Sequence, residues 1–394
     1  MKKKTKRLTY AMVGGARGSF IGPIHRMAIR MDNLADLVAG CFSRDPKVNA
    51  VSGEKLQLDP TRVYSDWRRL IAAEADRLDF LVVCTTNETH YPVAKAALEA
   101  GLDVFCEKPL SLTVKEAEEL GRIAKRKRLI LGIPFTYTGY PMVKLARDLV
   151  KKGELGKIDK VVLEYVQGSF RKIDFTKPLD KRNAWKMNPK VSGPSCVVAD
   201  IGVHAFTMIE YVTGLEAKTL LADLSSFAPG NRLDDDASIL MRLGGRSSAS
   251  FTRSRTAKGS SFSAKASLVV SKVATGEENG VRLRVYGDKA SLYWDQETPN
   301  YLSVKYPLKP EMTFKRKAPY MADLSEGAQR ASRFPAGHHE GFVEALGNIY
   351  DEFVAAVVSR KARDFPDARA GIRSMRFVEA ALKSAKSGNR WTKL

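Results

Sequence analysis

Leu102-Asp103-Val104-Phe105-Cys106-Glu107-Lys108-Pro109 is the stretch whose reading decides the fold. Gly101 precedes it, and the run from Leu102 to Cys106 is short and apolar or β-branched at most positions. Those properties predict a buried parallel strand. A charged pair followed by proline closes the strand. In open parallel sheets, ligands bind just beyond the carboxyl ends of the strands. Glu107-Lys108-Pro109 therefore stands where chemistry is done. Taken alone, the tripeptide reads equally well as a strand-ending turn with two solvated charges. Its surroundings decide.

On either side, the first third of the chain alternates strand-like and helix-like segments. Leu8 to Val13 is a strand, followed by a glycine-rich turn and a helix from about Pro23 to Asn33. A strand from Ala35 to Phe42 leads to a helix from Pro46 to Leu56, and Asp66 is an N-cap for Trp67 to Ala73. Strand Leu78 to Cys84 and helix Tyr91 to Ala100 precede the run at 102. After it, a Thr113-Val114-Lys115-Glu116 capping box opens a helix to Lys127, and strand Leu129 to Ile133 follows. Alternating βαβ units with almost unbroken apolar strands predict a doubly wound parallel sheet over residues 1–135.

Beyond residue 136 the texture changes. A helix from Met142 to Lys152 stops at Gly153, and Ile158 to Gln167 opens a period-two pattern. The same pattern recurs at Ala237 to Leu243, Ser247 to Arg253, Ser267 to Val273, Gly280 to Tyr286 and Ala290 to Trp294. Alternation of this kind predicts antiparallel strands with one face toward solvent. Helical periodicity returns at Phe342 to Val358 and Ile372 to Lys386. The fold class is therefore α/β. A second, α+β domain over 136–394 is built on a large, mostly antiparallel open sheet, with the last helices packing back on the first domain.

Composition fits this picture. A chain of 394 residues, 44% hydrophobic and 28% charged, has room for two cores in an ordinary globular protein. No apolar run approaches the ~20 residues of a membrane span, so no membrane partner is expected. Met1-Lys2-Lys3-Lys4-Thr5-Lys6-Arg7 is basic, but the apolar segment behind it is too short for a signal peptide. It reads as a frayed lead into the first strand. Cys41, Cys84, Cys106 and Cys196 have neither zinc spacing nor a disulfide framework. They read as buried, reduced thiols of a cytoplasmic protein. The net charge of +21 raises nucleic acid as a partner. However, the basic residues spread along the whole length, and the clusters at 2–7, 125–128 and 315–317 lack interleaved aromatics. No nucleic-acid partner is expected; a diffuse positive field suits a phosphorylated cofactor.

The cofactor reading rests on Gly14-Gly15-Ala16-Arg17-Gly18-Ser19, with Phe20 and Ile21 opening the helix behind it. Small residues on the first βα turn let backbone approach a pyrophosphate seated at the helix N-terminus. Ala16 and Ser19 replace the second and third glycines of the G-x-G-x-x-G pattern. NAD or NADP is the expected cofactor. NAD binders carry an acid at the end of the second strand, whereas this chain has Phe42-Ser43-Arg44-Asp45. Ser43 and Arg44 suit a 2′-phosphate, and the pattern leans to NADP. Asp45 turned inward is the alternative, in place of the missing acid.

Together with Thr85-Thr86-Asn87 and His90, these motifs precede Asp200-Ile201-Gly202-Val203-His204, a D-x-G-x-H pattern. The set, in this order, resembles the Gfo/Idh/MocA oxidoreductase family across the first domain and the start of the second. The resemblance implies a Rossmann dinucleotide-binding domain, then a domain for substrate binding and oligomerisation, with substrate held between its sheet face and the nicotinamide. It implies hydride transfer at a carbinol or keto carbon of a sugar, cyclitol or related polyol, without a metal. Lys108 is then the lysine that contacts both cofactor and reacting hydroxyl, Asp200 the substrate-orienting carboxylate, and His204 the acid/base. Thr85, Thr86, Asn87, His90 and Glu107 fall on the cofactor side. Trp185-Lys186 resembles a Trp-Arg pair that reaches the cofactor, with lysine losing the bidentate fork. Gly132 to Pro141 departs from the family's N-Y-R pattern, leaving Tyr137 as the contact candidate for cofactor and substrate. The substrate of better-known members therefore does not carry over. The resemblance also implies a homodimer or homotetramer through the C-terminal sheet.

Hydride transfer from a carbinol requires that its hydroxyl lose a proton, and histidine is the natural base near neutrality. Lys108 suits the developing alkoxide. Each residue also has an ordinary reading: a histidine in an apolar helix such as Ala205 to Val212 is usually a satisfied core residue. An Asp before a helix is usually an N-cap. Their combination with Lys108 favours chemistry. Tyr165 and Gln167 line either the substrate site or an ordinary amphipathic strand, and His90 reads as structural or cofactor-adjacent. His338-His339 lacks further metal ligands and reads as a surface or cleft loop. Asp234-Asp235-Asp236 could bind a cation, but a solvated turn between strands is the reading preferred. Three functions fit: a freestanding NAD(P)-dependent dehydrogenase, a glycoside-processing enzyme with a tightly bound, cycling NAD, or a non-catalytic ligand sensor. Retention of Lys108, Asp200 and His204 together argues against the sensor.

Overall fold

The computed structural model describes residues 7–180, 184–245, 254–255 and 261–394. The chain divides into two compact units, 1–136 with 346–375 and 137–345 with 376–394. The division falls within two long helices, Phe342–Ser359 and Ala368–Lys386.

In the first unit, strands β1 (Leu8–Gly14), β2 (Ala35–Cys41), β3 (Phe80–Cys84), β4 (Asp103–Cys106) and β5 (Leu131–Gly132) form one parallel sheet in the order β2-β1-β3-β4-β5. Helices α1 (Ile21–Met31), α2 (Pro46–Lys55), α3 (Trp67–Glu74), α4 (His90–Glu99) and α5 (Val114–Lys127) connect the strands. Every residue of β3 and β4 is buried, as strands covered on both faces must be. The helix starts follow their caps. The carboxylates of Asp45 and Asp66 accept the first N–H groups of α2 and α3, and Thr113 and Glu116 close the capping box of α5. Helix α1 begins at Ile21, two residues earlier than predicted, which puts Pro23 in the first turn, where a missing N–H costs nothing. Strand β5 is shorter than predicted because the Ile133 N–H turns to the Pro366 carbonyl at 2.9 Å. Phe353 of the late helix packs edge-on against Phe80 and Phe105.

The second unit holds α6 (Pro141–Lys151), β6 (Ile158–Val166) and a helix at Val203–Thr213. Strands β7 (Glu216–Ser225), β8 (Asp236–Gly244), β11 (Ala264–Ser271), β12 (Gly280–Gly287), β13 (Ser291–Asp295), β14 (Tyr301–Lys305), β15 (Met312–Lys315) and β16 (Thr392–Lys393) join β6 in one sheet. A short pair, β9 (Ser254–Arg255) with β10 (Ser261–Phe262), forms its own two-stranded antiparallel sheet. Among the described residues the sheet has nine strands, in the order β15-β14-β13-β12-β6-β11-β8-β7-β16. Its pairings are antiparallel except β11 with β6. The predicted alternation is present: Val161, Leu163, Tyr165, Leu268 and Leu283 are buried, while Leu240, Val269 and Tyr286 on the opposite face are exposed. On that outer face Arg282 and Arg284 pair with Glu164.

Strands β7, β14 and β15 were not anticipated. In β7 the Leu220-Leu221 doublet blurs the period, and β14 and β15 are only five and four residues long. The strand predicted over Ser247 to Arg253 lies outside the described residues.

Candidate active site

In the first unit the glycine turn leaves β1 at Gly14 and enters α1 at Ile21. Gly18 adopts φ +88°, and a Cβ there would face open space. At Gly22 a Cβ would come within 2.4 Å of the Gly15 Cα, so helix and turn approach as only glycines allow. No side chain caps the start of α1 at Phe20, although Ser19 Oγ accepts from the Gly22 N–H at 3.3 Å. Arg26 braces the turn from below by donating to the Gly15 carbonyl at 2.9 Å. An open, glycine-lined cradle at an uncapped helix start fits a dinucleotide pyrophosphate. Past the end of β2, the Arg44 side chain is 89% exposed, with Glu88 at 4.0 Å. Ser43 Oγ accepts from the Asp45 N–H at 3.1 Å. The Asp45 carboxylate is engaged as the cap of α2, accepting from the Lys47 and Val48 N–H groups.

Thr85, Thr86 and Asn87 turn from β3 into a short 3-10 segment over Asn87–Thr89. His90, at the start of α4, is buried with Nδ1 2.7 Å from the Pro109 carbonyl and Nε2 3.2 Å from the Thr85 carbonyl. It thus ties the Thr85 turn to the Glu107-Lys108-Pro109 turn. Burial holds its imidazole below the ordinary histidine range. Glu107 is directed inward: Oε1 meets His25 Nε2 at 2.9 Å, and Oε2 accepts from the Lys108 N–H at 3.0 Å. His25 Nδ1 in turn lies 2.7 Å from the Tyr350 hydroxyl. Burial alone pushes the Glu107 carboxyl up, but the His25 hydrogen bond and the charges of His25, Lys108 and His90 more than offset it. Its net position is below the usual carboxylate range. Lys108 is half-buried beside it. His25 and Tyr350 were not singled out from sequence; a histidine among apolar residues of α1 was the only available signal.

In the second unit, Asp200 lies in a π-helical turn, Val198–Gly202, that runs directly into the helix carrying His204. Wide turns of this kind are frequent at functional sites. Asp200 is not an N-cap. Its Oδ2 meets the ammonium of Lys272 at 2.6 Å. His204 is buried, its ring 5.3 Å from that of Tyr137 and 6.4 Å from that of Tyr165. The Tyr137 and Tyr165 hydroxyls are 2.6 Å apart. Tyr165 donates to Asn279 Oδ1 at 3.0 Å, and Asn279 Nδ2 donates back to Tyr137 at 3.1 Å. With one proton per hydroxyl, the ring closes only if Tyr137 donates to Tyr165. Gln167 donates to the same Asn279 oxygen at 2.9 Å. Burial raises both phenols above their ordinary range, so they remain neutral donors and acceptors. Trp185 and Lys186 occupy a short 3-10 turn, with the Lys186 ammonium 5.9 Å from the Trp185 ring.

The acidic run is not a solvated turn. Asp234 accepts from Ser195 Oγ and the Cys196 and Val198 N–H groups at 2.8, 2.8 and 3.0 Å. Asp235 is fully buried and accepts from the Phe227 and Ala228 N–H groups. Short carboxylates next to strand ends find buried N–H donors more readily than a count of like charges suggests. Asp234 is singled out by the sequence but misassigned, whereas no motif marks Lys272 or Asn279. All four cysteines are buried and unbridged, and among the described residues no group of three or more His, Cys, Asp or Glu could hold a metal ion. None of the described helices is long and apolar enough to cross a membrane.

Two family models match the chain. Residues 8–135 match the oxidoreductase family, NAD-binding Rossmann fold, and residues 147–394 match its C-terminal alpha/beta domain. The uncharacterized oxidoreductase YfiI of Bacillus subtilis (strain 168) is 33% identical over 98% of this chain and 97% of its own length. The crystal structure of an oxidoreductase from Sinorhizobium meliloti superposes with a TM-score of 0.84 at 36% identity, covering 98% of this chain and 100% of that one. An inositol dehydrogenase homolog from Azotobacter vinelandii complexed with NAD+ superposes with a TM-score of 0.89 at 33% identity, covering 99% of this chain and 98% of that one. The same protein has been solved complexed with NADH and myo-inositol, with a TM-score of 0.86 to this chain.

Proposed function

The chain belongs to the Gfo/Idh/MocA family of oxidoreductases, matched in both of its domains, and from that premise we propose that it transfers a hydride between a nicotinamide dinucleotide and a carbinol carbon of a sugar, cyclitol or related polyol. The observation that carries this reading is the group around His204. An ionisable imidazole packs against two neutral, hydrogen-bonded tyrosines, one helical turn from a carboxylate already paired with an ammonium. Such a set recognises hydroxyl groups and moves one proton.

In the proposed reaction, the bound nicotinamide supplies the hydride acceptor or donor. The glycine turn at Gly14 to Ile21 holds the pyrophosphate. His204 takes the carbinol proton at its imidazole, Lys108 stabilises the negative charge developing on that oxygen, and Asp200 accepts a neighbouring substrate hydroxyl. Tyr137 and Tyr165 confine the imidazole and present oxygen to the polyol. Ser43 and Arg44 extend cofactor use to NADP. The myo-inositol complex of the Azotobacter homolog makes cyclitols the first substrates to try. We also propose a homodimer or homotetramer formed through the outer sheet face, testable by size-exclusion chromatography with light scattering. The four buried free thiols favour a cytoplasmic setting.

The deciding experiment follows nicotinamide absorbance with NAD and NADP over a panel of cyclitols, sugars and keto-sugars, for wild type, Lys108→Ala and His204→Asn. Turnover of a polyol by wild type, with kcat reduced roughly 100-fold or more in either variant, is expected. A variant with undiminished kcat removes its residue from the chemistry, and a panel without turnover overturns the substrate class. Nucleotide that stays with the purified protein through gel filtration favours a cycling cofactor instead.

A further inference from the structure

We propose that Lys272 is a positioning residue for this reaction, fixing the carboxylate of Asp200 in one charged, oriented state for the substrate. The inference rests on the reading of Asp200 as the substrate-orienting group. Lys272 directly follows β11, and its backbone is held on both sides. Its N–H donates to the Asp235 carbonyl at 2.8 Å, and its carbonyl accepts from the Phe170 N–H at 2.9 Å. Its side chain is 4% exposed, against 35% for Asp200. The lysine is therefore the rear member of the pair, and the aspartate is the one a ligand can touch. The ammonium also lies 5.0 Å from the Phe170 ring and 3.8 Å from Cys196 Sγ.

A second clamp comes from the same place. Ser271 of β11 pairs in register with Asp236 of β8 and Lys272 bonds the Asp235 backbone, so Asp234 lies one residue beyond the point where Lys272 is held. Asp234 caps the residues that open the π-turn, while Lys272 holds the side chain that the turn carries. Backbone and carboxylate of the Asp200 turn are thus fixed separately.

The charges facing Lys272 are those of Asp200 and Asp234, with the Cys196 thiol beside them. Burial pushes that thiol up to about 11, so it is neutral near neutral pH. Burial is the largest single influence on the Lys272 ammonium and works against it. The charges around it, Asp200 first, and the Asp200 hydrogen bond together outweigh burial and keep the lysine protonated. Tyr137 and Tyr165 also feel the Asp200 charge. A pair with only structural work has no need to expose one partner, and apolar residues often replace such pairs without loss. Here the exposed partner sits on the turn that leads into His204.

The test has two arms. In protein labelled with 13C at aspartate carboxyls, the Asp200 resonance is assigned by its loss in Asp200→Asn and titrated. Lys272→Met should raise its midpoint by about one pH unit or more, because the favourable positive charge is gone. With NAD and the polyol giving the fastest turnover, Lys272→Met should lower kcat/KM at least about tenfold, chiefly through KM. Its acid limb should move to higher pH, and Lys272→Arg should restore most of the wild-type profile. Lys272→Gln gives the same readouts should the methionine variant not fold. An unmoved Asp200 midpoint, or a wild-type pH profile in the uncharged variant, overturns the proposal. Full activity in Asp200→Asn overturns the reading of Asp200 itself. A crippled Asp200→Asn beside an unaffected Lys272→Met overturns only the role of Lys272.

Discussion

Arg44 and Glu107 carry charges of opposite sign and have opposite environments. The Arg44 guanidinium is almost fully exposed, with Glu88 at the long distance of 4.0 Å, so a 2′-phosphate can approach it from solvent. Arg44→Ala should weaken NADP roughly tenfold, about 1.4 kcal/mol, and leave NAD nearly unchanged, as measured by titration of reduced-cofactor fluorescence. Equal affinities for NADP in both proteins would remove the 2′-phosphate role. Glu107, by contrast, is buried and bonded at both oxygens. Its carboxyl lies lower in the folded protein than in the unfolded chain, so its stabilisation is present above the usual carboxylate range. That stabilisation is lost as pH falls through the depressed native value. Glu107→Gln should therefore be less stable than wild type by about 1–3 kcal/mol at neutral pH. Urea unfolding at successive pH values should show the gap closing in acid; a gap independent of pH contradicts this reading.

Among the elements, the glycine turn is where backbone shape and cofactor binding are least separable. A methyl group at Gly22 meets backbone, the Gly15 Cα, rather than a side chain that could swing aside. Gly22→Ala should cost about 1–3 kcal/mol by overpacking and weaken NAD by reshaping the turn. Thermal unfolding and cofactor titration together check this, and a variant matching wild type in both would show that the contact relaxes freely. The same scale shows what sequence makes legible. The parallel strands were readable because each is a short apolar run between caps and glycines, and Asp45, Asp66 and Thr113 cap the predicted helices. Glycine spacing and the Asp200-x-Gly202-x-His204 pattern marked the turn and the helix start that carry the candidate site residues. Lys272, Asn279 and His25 were hidden, and Asp234 was misread, because their meaning lies in partners 36 or more residues away. A lysine after a strand looks the same whether it faces water or a buried carboxylate.

For the whole molecule, the open sheet face and the late helices set the terms. Leu240 and Val269 lie exposed among charged residues on the outer face. The first unit takes part of its substance from residues 346–375. There Tyr350 stacks on Phe105 with ring centroids 4.2 Å apart and bonds His25. A fragment ending at residue 136 lacks these rings and should not fold stably. Circular dichroism and limited proteolysis of that fragment check the point, and a cooperative unfolding transition would contradict it.

This borrowing has a consequence for how the protein is made. When the ribosome has finished the last parallel strand, some 200 residues separate it from the helix that completes the first unit. At about 5–20 residues per second, that interval is on the order of 10–40 s. During it, Phe80 and Phe105 lack the late-helix rings that cover them in the finished fold. Start and completion are therefore far apart: the nucleotide domain is begun first, yet it lacks residues 346–375 until most of the second unit has been made. The nascent chain in that interval is the species a chaperone would meet.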